Sequence, residues 1–351
     1  MKFIHIADVH LGVQPDRGRR WSDLRAREVN AAFDKIIDIC NEKQVELLLI
    51  AGDLFHTPPG LKELTELDYK LSKLQGTKTV IIAGNHDYMA PGSVMEQYQF
   101  QAPAIYLPAT KMGRVFVKDL NTYVVGRSYN RQEIKEPIYD DAKPYKEGAI
   151  NILLAHGGDV NHAPFNKQQL LDAGFDYIAL GHIHKPAMLE QDKMAYVGSL
   201  EPIDHTDVGD RGYIYGEIQD GKCHISWHQL NVRNYVNLSL KLKESYTHGQ
   251  IIDAISGEIE KLGAGHMYNI ILRGEKNPNH DMDLEELMQR YYISSVEDRT
   301  HVKADMERVT KEHEDDLIGQ FIKTLNVKED ALSKRALEYG VQALLETTYE
   351  E

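Results

Sequence analysis

The chain is poor in cysteine: Cys40 and Cys223 are the only two in 351 residues. They show no partnered spacing, so neither a disulfide framework nor a thiolate zinc site is available, and the composition fits a reducing compartment. Long apolar runs are missing too. No stretch approaches the roughly 18 apolar residues a membrane span requires, and Met1-Lys2 leads straight into the strand-like KFIHIA with no signal-peptide h-region. The expectation is a soluble, cytoplasmic protein with no membrane partner. Positive charge is also short: 40 Lys and Arg stand against 54 Asp and Glu, a net charge of −14. That balance repels nucleic acid on average, so binding to it would require a local basic surface or bound cations.

What remains is ordinary for a globular chain, with 42% hydrophobic and 27% charged residues, and wholesale disorder is excluded. The length predicts one large domain with an appendage, or two domains. Sixteen histidines are the anomaly. Histidine is the commonest metal ligand and a frequent general acid, so their positions matter.

Residues 2–7 (KFIHIA), 46–51 (ELLLIA), 78–83 (KTVIIA), 151–155 (NILLA) and 177–180 (YIAL) are short apolar runs, each followed by a polar cluster, and read as buried strands. Between the first two, Val29, Phe33, Ile36, Ile37 and Cys40 recur at helical spacing; between the next two, Leu61, Leu64, Leu67, Leu71 and Leu74 do. Strand–helix alternation of this kind predicts right-handed crossovers and covered sheet faces. From Arg114 the texture changes to hairpins, with Asp220-Gly221 as one turn. The organisation expected is a domain over 1–234, a small α/β unit over 235–300 and a helical segment over 301–351. In the last, Leu317, Ile318, Phe321, Ile322 and Leu325 form one apolar stripe, and Leu332, Ala336, Leu337, Leu344 and Leu345 another.

The chemistry-bearing residues fall just beyond the carboxyl ends of the predicted strands. Asp8 and His10 follow the first, Asp53 the second (GDLFH) and Asn85-His86-Asp87 the third (GNHD); His156 ends the fourth (AHGGD), and His182 and His184 follow the fifth (GHIH). Open α/β sheets gather ligands at these ends. Each fragment alone has a bland reading: D-x-H can be a turn aspartate beside a surface histidine, and GNHD a tight turn with a capping aspartate. Taken together, two carboxylates, one amide oxygen and four imidazoles exceed the needs of one tetrahedral ion and suit two six-coordinate divalent ions sharing a ligand, with Asp53 as the bridge. Two ions about 3.5 to 4 Å apart can hold a bridging hydroxide and polarise a phosphoryl oxygen for in-line displacement. Glycines before Asp53, Asn85 and His182 would let the backbone turn tightly where a strand hands over to its ligand.

In this order, D-x-H, GD, GNHD, a lone His and GHxH, the motifs resemble the calcineurin-like metallophosphoesterases, over roughly residues 1–230. Within them, GDLFH and the appended unit resemble double-strand-break repair nucleases of the SbcD kind. The resemblance implies an α/β fold, a β-sandwich flanked by helices (αββα) with a small α/β cap and a helical tail. It implies one metal on Asp8, His10, Asp53 and His184 and a second on Asp53, Asn85, His156 and His182, with His86 assisting the leaving oxygen, Asp87 holding the other ring nitrogen of His86, and His56 positioning the substrate. The implied activity is metal-dependent hydrolysis of DNA, as exonuclease or endonuclease in repair and recombination. Ligand type suits manganese, iron or zinc, and the resemblance favours manganese. The implied partner is an SbcC-like coiled-coil ATPase, although the segment from Val296 onward carries fourteen acidic against eight basic residues. That segment could instead pack on the cap or form a homodimer.

Arg17, Arg19 and Arg20, after the first ligand loop, are candidates for phosphate contacts, whereas Arg25 and Arg27 read as the polar face of a helix starting near Asp23. His5, His162, His205, His224, His228, His248, His266, His280, His301 and His313 lie outside every motif and receive no role. Two other readings compete: a phosphoesterase acting on small diesters such as cyclic nucleotides, which the negative charge favours, and a non-catalytic scaffold, which retention of every ligand position opposes.

Overall fold

The computed structural model describes residues 1–277, 283–302, 306–325 and 330–348; His280 lies outside them. In chain order the elements are β1 (Lys2–Ile6), α1 (Ser22–Glu42), β2 (Leu47–Ala51), α2 (Leu61–Leu71), β3 (Lys78–Ile82), α3 (Val94–Gln97), β4 (Ala104–Tyr106), β5 (Gly113–Val117), β6 (Thr122–Gly126), β7 (Ile150–His156), α4 (Lys167–Asp172), β8 (Tyr177–Gly181), β9 (Ala187–Glu190), β10 (Met194–Tyr196), β11 (Gly212–Gln219) and β12 (Lys222–Gln229). They form two six-stranded mixed sheets, ordered β12-β11-β1-β2-β3-β4 and β5-β6-β7-β8-β10-β9.

The apolar runs are continuous because their strands are covered on both faces. Phe3, Leu47, Leu49, Val80 and Ile82 of the first sheet pack on Val124, Ile152, Leu154, Tyr177 and Ala179 of the second. The alternate residues Ile4, Ile6, Leu48, Ile50 and Ile81 face outward onto Phe33, Ile36, Ile37 and Cys40 of α1 and Leu64, Leu67 and Leu71 of α2. On the other side Leu153, Ala155, Ile178 and Leu180 cover Leu170 of α4. A strand's period of two sends successive side chains into different layers, and the result is a helix–sheet–sheet–helix sandwich. Each fully buried Leu, Ile or Phe contributes about 1.5 to 3 kcal/mol to that core. The edges of the α2 stripe fall away: Leu61 is exposed, and Leu74 lies in the turn after the helix.

The expected hairpins form. Strand β11 pairs with β12 through Gln219↔Lys222, leaving Asp220 (φ 52°) and Gly221 (φ 73°) as a two-residue turn with both residues left-handed. Arg25 departs from expectation. It is fully buried instead of lying on a polar face, and its guanidinium donates to Glu201 (2.9 Å), Glu28 and the Pro202 carbonyl (2.9 Å). Partners at positions 201 and 202 are invisible to a helical-wheel reading, which is why periodicity misplaced it.

The chain divides into two compact units, Met1–Val236 and Asn237–Glu351. The second begins within β13 (Tyr235–Leu242) and continues with α5 (His248–Leu262), β14 (Met267–Lys276), α6 (Glu285–Arg290), β15 (Tyr292–Val302), α7 (Met306–Glu312), α8 (Leu317–Leu325) and α9 (Ala331–Thr348). Its sheet is ordered β13-β14-β15. Helix α5 starts with a Thr247–Gln250 capping box and buries Ile251, Ile255 and Ile259. The last three helices pack on one another through Val309, Ile318, Ile322, Leu337 and Val341, while Leu317 and Leu332 remain exposed. Among the described residues no helix is long and apolar enough to cross a membrane.

Candidate metal centre

Strands β1, β2 and β3 run parallel in one sheet and β7 and β8 in the other, so their carboxyl ends open on shared edges. A hydrogen bond from His156 Nδ1 to the Ala51 carbonyl, 2.8 Å, joins the two edges. Around it stand Asp8, His10, Asp53, Asn85, His156, His182 and His184. Two sets within this group have ligand atoms mutually within 4.8 Å: Asp8, His10 and His184, and Asp53, His156 and His182.

The backbone bends sharply to deliver them. Asp8 (φ 51°), His10 (φ 52°), Asp53 (φ 49°) and His182 (φ 97°) all have positive φ, a conformation L-residues seldom hold unless the surroundings impose it. Gly52 (φ 91°) and Gly84 serve closeness as well as turning. A Cβ on Gly52 would sit 2.3 Å from His156 Nδ1, and one on Gly84 2.2 Å from Asp53 Oδ1. Alanine at either site would push His156 or Asp53 out of place.

The hydrogen bonds decide which nitrogen each imidazole turns inward. His156 gives its Nδ1 proton to Ala51, His184 Nδ1 lies 3.0 Å from the Asp207 carboxylate, and His182 Nε2 lies 2.7 Å from Asp159. An ionised carboxylate or a carbonyl only accepts, so the outer nitrogen carries the proton in all three. The inner nitrogens face acceptors and one another: His156 Nε2 and His182 Nδ1 lie 2.9 and 3.0 Å from Asn85 Oδ1, and His184 Nε2 lies 3.1 Å from His10 Nε2. His156 Nε2 also lies 3.4 Å from Asp53 Oδ2. Lone pairs converge on a space that only a proton or a cation can occupy favourably, and an outer acceptor orienting each imidazole is the arrangement metal-binding histidines use. The donor set therefore fits divalent metal. Sequence reasoning missed Asp159 and Asp207; the only signal for the former was the aspartate closing AHGGD.

Electrostatics point the same way. Asp8 and Asp53 are buried, and among the described residues their ion-pair partners are histidines, with no Lys or Arg. Burial pushes the Asp8 carboxyl up to about 6, only partly offset by His156 and His184. Burial also favours a neutral Asp53, but His156 and His10 outweigh it and hold the carboxyl well below the usual range. At His156 burial opposes the charge, and Asp53 with Asp8 overcomes it, raising the imidazole to about 9. His182 is pushed down to about 4 by burial and by His156.

His86 and His56 stand beside this group. Their rings stack at 5.3 Å, His86 meets His10 edge-on at 4.8 Å, and His56 Nδ1 lies 3.5 Å from His10 Nδ1. The His86 amide donates to Asp53 Oδ1 at 2.8 Å, and its ring Nδ1 lies 3.3 Å from the His56 carbonyl. Asp87 does not hold the His86 ring, contrary to expectation. It is buried and accepts the Gly84 and Phe55 amides at 2.6 and 3.1 Å, so it ties the GNHD turn to the GDLFH loop. The ring's acceptor comes from a loop thirty residues away in sequence.

Arg17, Arg19 and Arg20 are exposed on the loop after His10. That loop is pinned at its base, where Asp16 Oδ2 accepts from Trp21 Nε1 (2.6 Å) and the Tyr235 hydroxyl (2.7 Å). Of the histidines given no role, His5 is buried against the Tyr177 hydroxyl at 2.9 Å, and His162 Nδ1 lies 2.9 Å from Asp159.

Residues 1–186 match the family described as calcineurin-like phosphoesterase. The DNA double-strand break repair protein Mre11 of Methanopyrus kandleri is 26% identical over 96% of this chain and 82% of its own length. The protein of the same name from Methanocaldococcus jannaschii is 27% identical over 70% of this chain and 71% of its own. An uncharacterised metallophosphoesterase, YhaO of Bacillus subtilis, is 24% identical over 78% and 72%.

Proposed function

Because this chain belongs to the calcineurin-like phosphoesterase family, and with it to the metal-dependent phosphoester hydrolases, we propose that its substrate is the phosphodiester backbone of DNA. The chemistry rests on one observation, the three imidazoles whose outer protons are fixed and whose inner nitrogens converge with Asp8, Asp53 and Asn85. The choice of DNA rests on the two relatives named as DNA double-strand break repair proteins, one of them similar over 96% of this chain and so well beyond residue 186. We assign hydrolysis to residues 1–234 and substrate recognition to the unit over 235–300.

In this reading Asp8, His10, Asp53 and His184 hold one divalent ion, and Asp53, Asn85, His156 and His182 a second. When bound, such ions supply Lewis acidity toward a phosphoryl oxygen and make water a stronger nucleophile at neutral pH. His86 acts on the other side of the reaction. With Nδ1 donating to the His56 carbonyl, Nε2 is the nitrogen left to carry a proton to the departing oxygen. Asp53 fixes the His86 main chain through its amide, so metal ligand and acid are held by one carboxylate. Asp87 locks the turn that carries both Asn85 and His86. The exposed arginines of the Asp16-anchored loop supply phosphate contacts in a chain otherwise negative.

The test is hydrolysis of labelled single- and double-stranded DNA beside bis(p-nitrophenyl) phosphate and a cyclic nucleotide, with manganese, iron or zinc and with chelator. Metal-dependent cleavage of DNA is the expected result. Efficient cyclic-nucleotide hydrolysis with no DNA cleavage under any metal would move the assignment to small diesters, which the charge of −14 favours.

A further inference from the structure

The AHGGD motif contains more than its metal-ligand candidate His156. Gly157 (φ 125°) and Gly158 (φ 121°) both adopt backbone conformations that side chains resist, and added Cβ atoms would lie 2.3 Å from the His162 carbonyl and 2.1 Å from the Tyr196 hydroxyl. The two glycines let the chain fold back on itself within three residues of β7. The Tyr196 hydroxyl donates to the Gly157 carbonyl at 2.7 Å, and the Gly158 amide donates to the His162 carbonyl at 2.7 Å, closing the loop. The residue this turn delivers is Asp159. Its Oδ1 accepts the Asn161 and His162 amides at 2.8 and 3.1 Å, and its Oδ2 faces His182 Nε2 at 2.7 Å and His162 Nδ1 at 2.9 Å.

We propose that Asp159 is a positioning residue for the metal centre, fixing the proton of His182 on Nε2 so that the Nδ1 lone pair turns toward Asn85, Asp53 and His156. The inference rests on the two-ion reading given above. A carboxylate has no proton to donate, so its partner nitrogen must be the protonated one, and a neutral imidazole then has only its other nitrogen for a metal. Without Asp159 the His182 proton is free to sit on Nδ1, where it would meet the centre and block coordination. The loop is held independently of the metal by Tyr196 and its own backbone, so the carboxylate is in place before an ion arrives.

Two substitutions separate this role from a loop-shaping one. Asp159→Ser keeps an oxygen that can cap the Asn161 amide but is too short to reach His182. Asp159→Asn keeps a single acceptor oxygen, which can serve the loop amides or His182 Nε2 but not both, as the two carboxylate oxygens do. Manganese titration of the full chain by calorimetry should show two ions for the native protein; Asp159→Ser should lose affinity for one of them by about 10- to 100-fold and keep the other, with Asp159→Asn in between. Nitrogen-15 histidine spectra of the metal-free proteins should show His182 protonated on Nε2 in the native chain and mixed tautomers in Asp159→Ser. Native-like binding of both ions by Asp159→Ser, or a native His182 proton on Nδ1, would overturn the proposal. Should Asp159→Ser fail to fold, mixed His182 tautomers in Asp159→Asn support it and an unchanged Nε2 proton with native affinity overturns it. If the native chain itself binds fewer than two ions, the two-ion reading fails and the metal half of this proposal with it, while the tautomer spectra still decide whether Asp159 sets the proton.

Discussion

Metal uptake should expel a proton from His156, and the affinity should depend on pH accordingly. In the metal-free protein the buried His156 Nε2 lies 2.9 Å from Asn85 Oδ1 and 3.4 Å from Asp53 Oδ2, and Asp53 with Asp8 overcomes the cost of burial to raise the imidazole to about 9. Below that pH the inner nitrogen carries a proton that an entering cation must displace. Affinity should therefore rise with pH toward about 9 and fall about tenfold, or about 1.4 kcal/mol, for each unit below it. Between pH 8.5 and 6.5 the loss is about 100-fold by the same relation. Asp8, raised to about 6, adds a second proton and a steeper slope below that value. Calorimetric titration with manganese in two buffers of different ionisation heat counts the protons directly, and about one per chain is expected near pH 7.5. A flat affinity from pH 6.5 to 8.5 with no buffer-dependent heat would show His156 already neutral, and the account of charge balance in the site would be wrong.

His86→Ala should retain both ions and lose about 100-fold or more in kcat, since the residue is placed to act on the leaving oxygen; loss of metal on substitution would refute that division of labour. Asp87→Asn should lower unfolding stability by about 1 to 3 kcal/mol in urea, because one amide oxygen cannot replace a carboxylate between the Gly84 and Phe55 N–H groups. Unchanged stability together with a shifted pH profile of turnover would mean that Asp87 acts on His86 after all. Replacing Arg17, Arg19 and Arg20 together by Ala should weaken duplex binding and flatten its salt slope by about 0.9 per lost phosphate contact, while leaving a small diester nearly unaffected. Equal damage to both substrates would assign the loop a structural role.

Strand positions and the donor side chains at their ends were legible because both are local. A fully covered strand shows as an unbroken Ile, Leu and Val run, and the polar cluster after it marks where the chain leaves the sheet. The five runs at 2–7, 46–51, 78–83, 151–155 and 177–180 became β1, β2, β3, β7 and β8, with Asp8, Asp53, Asn85, His156 and His182 at or just beyond their ends. Periodicity worked where one layer covers one face and failed where a polar side chain finds a distant partner. Arg25 shows the failure: helical spacing put it outside, and Glu201 and Pro202 draw it in. Positive φ at Asp8, His10, Asp53 and His182 left only a weak trace in residue type, since none of them is glycine and Asp and His merely enter that region more often than most residues.

The division follows the range of the interactions. Amino-acid order alone determined which donors stand at which strand ends, because a short buried strand and the turn after it are specified within a few residues. Only the tertiary structure decided where the protons sit. Asp159 reaches His182 across 23 positions, Asp207 reaches His184 across 23, and Ala51 reaches His156 across 105. Adjacency gave the wrong partner for Asp87, whose carboxylate turns to the amides of Gly84 and Phe55, while the His86 ring finds the carbonyl of His56. A hydrogen bond is satisfied by whatever acceptor folding brings within 3 Å or so, and separation along the chain does not enter its energy.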